Sequence, residues 1–256
     1  DYSMLAYKTK VDYSNCLDIM LNTKLNKHSI CTTKVDKLTG AIARQSYELW
    51  LKRGISMANH IVSSSRKVYS FGMEMGYVEY NPFSTFKCKT NKPRKVVWTR
   101  EQIKKLLDFC YSDFRYRSIG LIVQMSYEWC QRVGDMRLLK FESIDFNNGV
   151  LNLEQSKRGA SVSLPISEDL FEMLQEQKRD YDFQEYVAPV PKAIRSSYNP
   201  YTLHRLSIVA RQAIRLCGLP NELRIADLRR TGTTEMVEAG VSMGQIMSVT
   251  GHANPQ

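Results

Sequence analysis

The chain has 256 residues, of which 43% are hydrophobic and 24% charged, and its formal net charge is +10. This composition is that of an ordinary globular protein with room for one large or two smaller domains. No apolar run is long enough to cross a bilayer, so a membrane partner is not expected. Six widely spaced cysteines, with no Cys-x-x-Cys pair, argue against a zinc site and a disulfide framework and for a reducing compartment.

The positive charge is concentrated in the first part of the chain. Residues 1–95 carry 16 Lys and Arg against 7 Asp and Glu, whereas residues 96–256 carry 20 against 19. Excess positive charge in one region indicates a polyanionic partner. A basic surface that only aids solubility is the alternative.

Residues 1–86 have helical periodicity and no strand alternation, so we predict a small helical bundle. The expected helices run from about 3 to 26, from 39 to 53 with Leu49 and Trp50 in the core, and from 56 to 76. Arg66 and Lys67 lie on the polar face of the last helix. We predict that they contact the phosphates of a nucleic acid, although each alone is also explained as a solvated surface charge.

Residues 87–97 are basic, contain one proline and have little apolar character, which predicts an extended linker. We expect its basic residues to contact a nucleic-acid backbone, and a plain surface tether is the equal alternative. These residues are Lys87, Lys89, Lys92, Arg94 and Lys95.

The second half, residues 98–256, mixes helices with one hairpin. A capping-box spacing at 99–102 begins a helix, and an apolar helix covers 118–129. Arg132 and Asp135 follow, three residues apart, so they share a helical face and can form a structural salt bridge. Alternating apolar residues on both sides of 156–160 predict a hairpin with Lys157 at its tip, a position where lysine also discourages edge aggregation. Helices are expected at 167–178 and 203–216.

Two short helices end the chain. Asp227 can cap the first and Gly240 can end it, while Ser242 and Gln245 have capping-box spacing for the second, with Gly251 as its stop. Arg229 and Arg230 therefore lie in a first turn, where unpaired N–H groups favour an anion, and His252 follows the glycine stop. Two arginines and a histidine in this arrangement suit a phosphate group.

These residues resemble the second signature box of the tyrosine recombinase (phage integrase) family. The matching segments are Asp227-Leu228-Arg229-Arg230-Thr231, Glu238-Ala239-Gly240 and Thr250-Gly251-His252. Arg132, Asp135, Leu138 and Ile144-Asp145 resemble the family's first box. The resemblance implies a mainly α fold with a small β hairpin or sheet. An N-terminal helical core-binding (SAM-like) domain over 1–86 would precede a mixed α+β catalytic domain over 98–256.

The resemblance also implies a role for each matched residue. Arg132 and Arg229 would grip the scissile phosphate, and His252 would donate a hydrogen bond to it. Lys157 would protonate the departing 5′ oxygen, with Arg158 in reserve. Asp135 would position Arg132, and Arg230, which stands where the family often has histidine, would be auxiliary. No metal or small-molecule cofactor is expected, because a 3′-phosphotyrosine link conserves the bond energy.

The sequence departs from the family pattern at two places. Ala226 stands where the family usually has a histidine, three residues before the second arginine. The tyrosine nucleophile is expected about nine residues after His252, which lies beyond Gln256, and Tyr201 is the last tyrosine of the chain. As given, the chain is therefore expected to bind DNA without cleaving it.

The function predicted from the sequence is that of a site-specific DNA recombinase that integrates viral or other mobile DNA. Its partner would be double-stranded DNA, and the resemblance implies a homotetramer on DNA in the full-length protein, in bacterial or phage-infected cytoplasm. A catalytically silent DNA-binding regulator of the same fold is the alternative. A metal-dependent nuclease needs clustered carboxylates, but Asp135, Asp145 and Asp227 are scattered.

Overall fold

A computed structural model of the protein describes residues 2–25, 28–156, 159–192 and 198–251. It contains two compact units, residues 1–94 and residues 95–256. Helices dominate both units, and a small sheet lies in the second. The predicted fold class, mainly α with a small β sheet, is confirmed.

In the described residues of the first unit, the α-helices are α1 (Tyr7–Leu21), α2 (Gly40–Trp50) and α3 (Ile55–Glu74). The expected first helix is shorter than predicted, because the chain turns after Leu21 into a two-stranded antiparallel ladder of β1 (Lys24–Leu25) and β2 (His28–Ser29). The prediction of no strand in this half is therefore wrong for these four residues. The ladder is too short for a period-2 pattern to show in the sequence.

Aromatic side chains fill the core of the first unit. Tyr47 and Trp50 of α2 are buried, and Trp50 Nε1 donates a hydrogen bond to Thr23 Oγ1 at 2.7 Å, so the indole nitrogen is satisfied. Phe83 stacks on Trp50 with ring centroids 6.5 Å apart. Leu49, which the periodicity placed in this core, is instead exposed.

The segment predicted to be a linker begins with residues that belong to the first unit. Lys89 N–H donates to Tyr47 Oη at 2.8 Å, and Asn59 Nδ2 donates to the Lys89 carbonyl at 2.8 Å. Asn91 Nδ2 donates to Ser56 Oγ at 2.7 Å. These contacts fix the backbone of residues 89–91 on α2 and α3, while the lysine side chains remain exposed.

The second unit is built on α5. Its helices are α4 (Arg100–Ser112), α5 (Phe114–Glu128), α6 (Val133–Met136), α7 (Glu168–Tyr181), α8 (Leu203–Leu216), α9 (Leu228–Glu238) and α10 (Met243–Thr250). Its antiparallel sheet has the order β3 (Ile144–Asp145), β4 (Val150–Glu154) and β5 (Ser161–Pro165). Residues 116–126 of α5 are all buried, as expected for a helix without a polar stripe. Helices α4, α6, α7, α8 and α9 pack against it, and buried residues of the sheet belong to the same hydrophobic core.

The first turn of α9 is held from two sides. The Trp98 backbone N–H donates to Thr231 Oγ1 at 3.1 Å, and Trp98 Nε1 donates to the Arg224 carbonyl at 3.0 Å. A Cβ at Gly232 would lie 2.5 Å from the Tyr127 carbonyl oxygen, so only glycine lets α9 approach the end of α5 this closely. α9 is thereby fixed against the helix that leads to Arg132.

The caps of the last two helices differ from each other. Ser242 and Gln245 form the predicted capping box at the start of α10, and Gly251 ends the helix with φ 66°. The prediction that Asp227 caps α9 is wrong, because its side chain makes no capping hydrogen bond. A 3-10 turn over Ile225–Asp227 runs directly into α9, and Asp227 therefore has helical rather than extended backbone angles.

Candidate phosphate-binding site

Arg132 lies in a tight connection between α5 and α6. Cys130 adopts φ 49°, an uncommon left-handed conformation for a residue other than glycine, and this turns the chain out of α5. Arg132 then precedes α6 with an extended backbone, and its side chain is 25% exposed. The guanidinium is thus held at a turn and remains accessible to a ligand.

Two side chains hold the Arg132 guanidinium. Arg132 Nη1 lies 3.7 Å from Asp135 Oδ2 and donates a hydrogen bond to Gln155 Oε1 at 2.9 Å. Asp135 is buried, and its Oδ1 accepts a hydrogen bond from Ser156 Oγ. Arg132 is therefore anchored both to α6 and to the end of strand β4.

The hairpin of β4 and β5 brings Gln155 to this position. Glu154 pairs with Ser161, and the Gln155 N–H donates to the Ala160 carbonyl at 2.9 Å, which continues the ladder into the turn. Gly159 N–H donates back to the Gln155 carbonyl at 2.8 Å. The predicted hairpin is present, and Lys157 and Arg158 lie outside the described residues.

Gln155 and Gln131 form a buried pair of side-chain amides. Gln155 Nε2 donates to Gln131 Oε1 at 2.6 Å and to the Thr250 carbonyl at 2.8 Å. Gln131 Nε2 donates to the carbonyls of Trp129 and Val249, both at 2.8 Å. The pair thus connects the Arg132 turn and the hairpin to the last turn of α10.

Arg229 joins the same network from α9. It lies in the first turn, is partly buried, and its Nη2 donates to the Thr250 carbonyl at 2.6 Å. The Thr250 carbonyl therefore accepts from both Arg229 and Gln155, and Gln155 accepts from Arg132. Arg230, the next residue, is exposed, and His252 lies outside the described residues.

Gly251 is required at the end of α10 for two reasons. Its φ of 66° is a left-handed conformation that glycine adopts without cost. A Cβ at this position would also lie 2.6 Å from Gln155 Nε2. The glycine stop predicted from the sequence therefore also makes room for the buried amide of Gln155.

Burial keeps the thiol beside this network neutral. Burial raises the pKa of the Cys130 thiol to about 11, although Thr233 and the charge of Arg229 oppose the increase. Arg137, whose pKa is lowered by burial, donates from Nη1 to the Tyr201 carbonyl at 2.8 Å. The network therefore contains the guanidinium groups of Arg132 and Arg229 and the carboxyl group of Asp135, and the Cys130 thiol adds no charge to it.

Neither buried glutamine is predicted as a site residue from the sequence, because a neutral amide gives no charge or titration signal. The signal that the sequence does offer is that each glutamine lies close to a predicted site residue. Gln131 directly precedes Arg132, and Gln155 lies two residues before Lys157.

The basic residues predicted to contact DNA differ in their surroundings within the first unit. Arg66 donates to the carbonyls of Phe83 and Phe86 at 2.7 and 3.0 Å, which is a structural role that the sequence did not indicate. Lys67 Nζ donates to Tyr13 Oη at 2.5 Å, and Lys89 Nζ lies 3.6 Å from Glu48 Oε2. Exposed positions are taken by Lys67, Lys87, Lys89, Lys92 and, in the second unit, Lys95, whereas Arg94 is partly buried.

The described residues contain neither a candidate metal cluster nor a candidate membrane-spanning helix. Over the four described ranges, no group of three His, Cys, Asp or Glu side chains could hold a metal ion. None of the helices described there has both the length and the apolar character to cross a membrane. All six cysteines are free thiols.

Comparison with known proteins gives the family. The model of the phage integrase family matches residues 97–256, which include Arg132, Gln155 and Arg229. The chain belongs to the phage integrase family. The match covers well over half of the sequence and includes the whole network described above.

Two proteins similar in sequence to this chain are named as tyrosine recombinases. The chain is 27% identical over 159 residues to tyrosine recombinase XerA of Pyrococcus furiosus, covering 61% of this chain and 53% of that protein. It is 20% identical over 262 residues to a tyrosine recombinase of Pseudothermotoga lettingae, covering 99% of this chain and 84% of that protein. The chain thus spans about half the length of the first relative.

Solved structures share the fold. A lambda integrase (75–356) dimer bound to a COC′ core site has a TM-score of 0.78 at 18% identity and covers 99% of this chain and 91% of its own. The Tn1549 transposon integrase in complex with a circular intermediate DNA has a TM-score of 0.74 at 16% identity, covering 98% and 88%. At these identities the similarity concerns the fold alone.

Proposed function

We propose that this protein is a site-specific DNA recombinase of the integrase type. The observation that carries the proposal is the continuous network from Arg132 through Gln155 and the Thr250 carbonyl to Arg229. It ties the guanidinium groups of two partly buried arginines from distant parts of the chain into one cluster. Paired guanidinium groups suit a phosphodiester because each can bind two oxygens and neither loses its proton.

The proposed chemistry is attack of a tyrosine oxygen on phosphorus. The tyrosine hydroxyl gives up its proton to solvent water as its oxygen forms a P–O bond, the P–O5′ bond breaks, and the 5′ oxygen accepts a proton and leaves as a hydroxyl. Arg132 and Arg229 would stabilise the charge that grows on the non-bridging oxygens. Lys157 would give its proton to the 5′ oxygen, with Arg158 as the reserve donor, and His252 would hydrogen-bond the same phosphate. Asp135 would hold Arg132 in place, with Arg230 as an auxiliary cation.

The proposed partner is double-stranded DNA. The matched lambda integrase structures include a dimer on a core site and a tetramer on a Holliday junction, which supports a tetramer of this protein on DNA. The basic excess of residues 1–95 supports phosphate contacts by the first unit. The protein would act in the compartment that holds its DNA target, such as the bacterial nucleoid.

A covalent-adduct assay tests the proposal. We define the extended chain as residues 1–256 followed by a segment that places a tyrosine about nine residues after His252. A DNA duplex with a nick near the cleavage site traps the 3′-phosphotyrosine adduct. The short fragment between the cleavage site and the nick carries the released 5′ hydroxyl, and it diffuses away before it can be rejoined. The extended chain should form the adduct and the 256-residue chain should bind the duplex without forming it. An adduct on the 256-residue chain would show that the nucleophile is a residue within the chain and not the added tyrosine. The absence of an adduct on both chains would reject the proposal that the protein is a recombinase.

The second candidate is a catalytically silent DNA-binding regulator. Ala226, at the position where the family usually has histidine, is exposed in the turn before α9 and supplies no acid–base group. This candidate predicts duplex binding by the extended chain with no adduct at any pH. Ala226→His is the discriminating variant, because it should enhance adduct formation in a recombinase and leave a silent regulator inactive.

A further inference from the structure

The two buried glutamines form a fully connected polar network. Both side chains have no exposed surface, and they lie between the Arg132 turn, strand β4 and the last turn of α10. Each Nε2 donates twice and each Oε1 accepts at least once. Burying an amide without hydrogen-bond partners costs free energy, so both glutamines depend on these neighbouring groups to be buried here.

The partners permit one orientation of each amide. Gln155 Nε2 faces two acceptors, Gln131 Oε1 and the Thr250 carbonyl, while its Oε1 faces the donor Arg132 Nη1. Rotating the Gln155 amide by 180° would place its Nε2 against the donor Arg132 Nη1 and its Oε1 against both acceptors. The arginine is therefore held by an acceptor whose direction is itself fixed.

The same amide fixes the acceptor shared with Arg229. The Thr250 carbonyl receives Gln155 Nε2 at 2.8 Å and Arg229 Nη2 at 2.6 Å. A single side chain thus contacts one guanidinium directly and the other through one carbonyl oxygen. Asp135 Oδ2, at 3.7 Å from Arg132 Nη1, holds Arg132 more loosely than Gln155 Oε1 does at 2.9 Å.

We propose that Gln155, held by Gln131, is a positioning residue that sets the spacing and direction of Arg132 relative to Arg229. This inference rests on the proposed function, because it takes the spacing of the Arg132 and Arg229 guanidinium groups to serve the binding of one scissile phosphate. Gln155 does not touch the phosphate itself, and its effect passes through Arg132 and the end of α10. A neutral amide suits this role, because a carboxylate would cancel the charge of Arg132 and repel the Thr250 carbonyl.

The test uses Gln155→Met, which fills a similar volume and removes both polar amide atoms, and Gln131→Met as a second variant. The matched control is Asn152→Ala on the same hairpin, where Oδ1 accepts from Ser163 Oγ at 2.9 Å on the exposed face. Single-turnover adduct formation by each extended chain is measured at saturating DNA, and DNA affinity is measured separately. The substrates carry either a normal scissile phosphate or a neutral methylphosphonate.

The normal substrate should react about 10²-fold more slowly with Gln155→Met, since a misdirected guanidinium loses stabilisation specific to the transition state. Its DNA affinity should stay within about threefold, because phosphate contacts elsewhere dominate binding. With the methylphosphonate the deficit should shrink to under about tenfold, because less charge develops for the arginines to stabilise. Gln131→Met should show the same pattern with a smaller deficit. A wild-type rate in Gln155→Met, or an equal deficit on both substrates, would overturn the proposal.

A spectroscopic arm separates this inference from the recombinase proposal. In the 256-residue chain, ¹⁵N relaxation reports the mobility of the Arg132 side chain without any cleavage. Arg132 should be restricted in wild type and in Asn152→Ala and mobile in Gln155→Met. Equal mobility in all three would overturn the positioning role even if DNA is cleaved. If the wild-type extended chain forms no adduct but the difference in Arg132 mobility is observed, the recombinase proposal is rejected. The positioning of Arg132 by Gln155 is then still supported.

Discussion

Gln155 and Thr250 lie 95 residues apart in the sequence, and Gln155 Nε2 donates a hydrogen bond to the Thr250 carbonyl at 2.8 Å. This contact joins the end of strand β4 to the end of α10. Thr250 is two residues before His252, and Gln155 is two residues before Lys157. One hydrogen bond therefore joins the described segments that precede these two predicted residues in the sequence.

Gly251→Ala should disrupt this contact directly. The new methyl would lie 2.6 Å from Gln155 Nε2 and would occupy a backbone position with φ 66°. We expect the free energy of unfolding to fall by about 2–4 kcal/mol, from left-handed strain and overpacking together. Urea denaturation of the 256-residue chain measures the loss.

The control for this substitution is Gly244→Ala in the same helix. No atom lies within 4 Å of a Cβ at Gly244, and its φ is not positive. Alanine is the better helix former, so the free energy of unfolding should stay unchanged or rise by up to about 1 kcal/mol. Similar losses for both variants would show that α10 is sensitive to any added methyl and that Gln155 is not the cause.

Much of the second unit could be predicted from the sequence, because its signals are local. The Thr99–Gln102 and Ser242–Gln245 capping boxes and the glycine stop at Gly251 are each contained in one turn. The long-range parts were not predictable in the same way. Gln131 and Gln155 acquire their roles from carbonyls of α10 more than 90 residues away, and neutral amides leave no pattern of charge or period.

Arg132→Ala should separate catalysis from binding. In the extended chain the rate of adduct formation should fall at least about 10²–10³-fold, because one fixed donor to the transition state is lost. DNA affinity should change little, since many other phosphate contacts remain. Filter binding and single-turnover kinetics measure the two quantities.

Arg115→Ala is the matched control for Arg132→Ala. Arg115 is 82% exposed, lies near the start of α5 and pairs with Asp113 at 2.6 Å. Both the rate and the affinity should remain at wild-type values. If Arg132→Ala lost DNA affinity and kept the wild-type rate of adduct formation, Arg132 would serve DNA binding and not the chemical step.

Lys157→Ala tests the proposed proton donor. With a normal substrate the extended chain should lose about 10²–10⁴-fold in cleavage rate, the range for general acid catalysis. Replacing the 5′ bridging oxygen by sulfur should restore most of the rate, because a thiolate leaves without protonation. Arg132→Ala should not be rescued by the same sulfur substrate. A deficit in Lys157→Ala that persists with sulfur would assign Lys157 to phosphate binding instead.

Alkaline pH should destabilise the native chain through its buried thiols. Burial raises the pKa of Cys130 from 9.0 to about 11 and that of Cys110 to about 12. Between these values the unfolded chain loses the proton and the native chain retains it, so the unfolded state binds fewer protons and the free energy of unfolding falls as pH rises. Each such thiol contributes up to about 1.4 kcal/mol per pH unit from pH 9 to its native pKa.

Cys130→Ala isolates one of these contributions. The free energy of unfolding, measured by urea denaturation from pH 8.5 to 10.5, should fall less steeply in this variant than in wild type. Cys31→Ala, at an exposed position, should keep the wild-type slope. If Cys130→Ala and wild type have parallel pH profiles, the Cys130 thiol is not held neutral by burial.

The lysines of residues 87–95 should contribute to DNA affinity through phosphate neutralisation. Lys87, Lys92 and Lys95 have exposed side chains, so they can approach a polyanion at little desolvation cost. Replacing all three by alanine should reduce the slope of log K against log salt by about 2–3, at about 0.9 per phosphate contact. The control is Lys104→Ala, whose exposed ammonium lies 3.2 Å from Asp108 Oδ1 and should leave the slope unchanged. An unchanged slope in the triple variant would make this basic segment a surface tether, and the contacts would then have to come from the helical faces of the first unit.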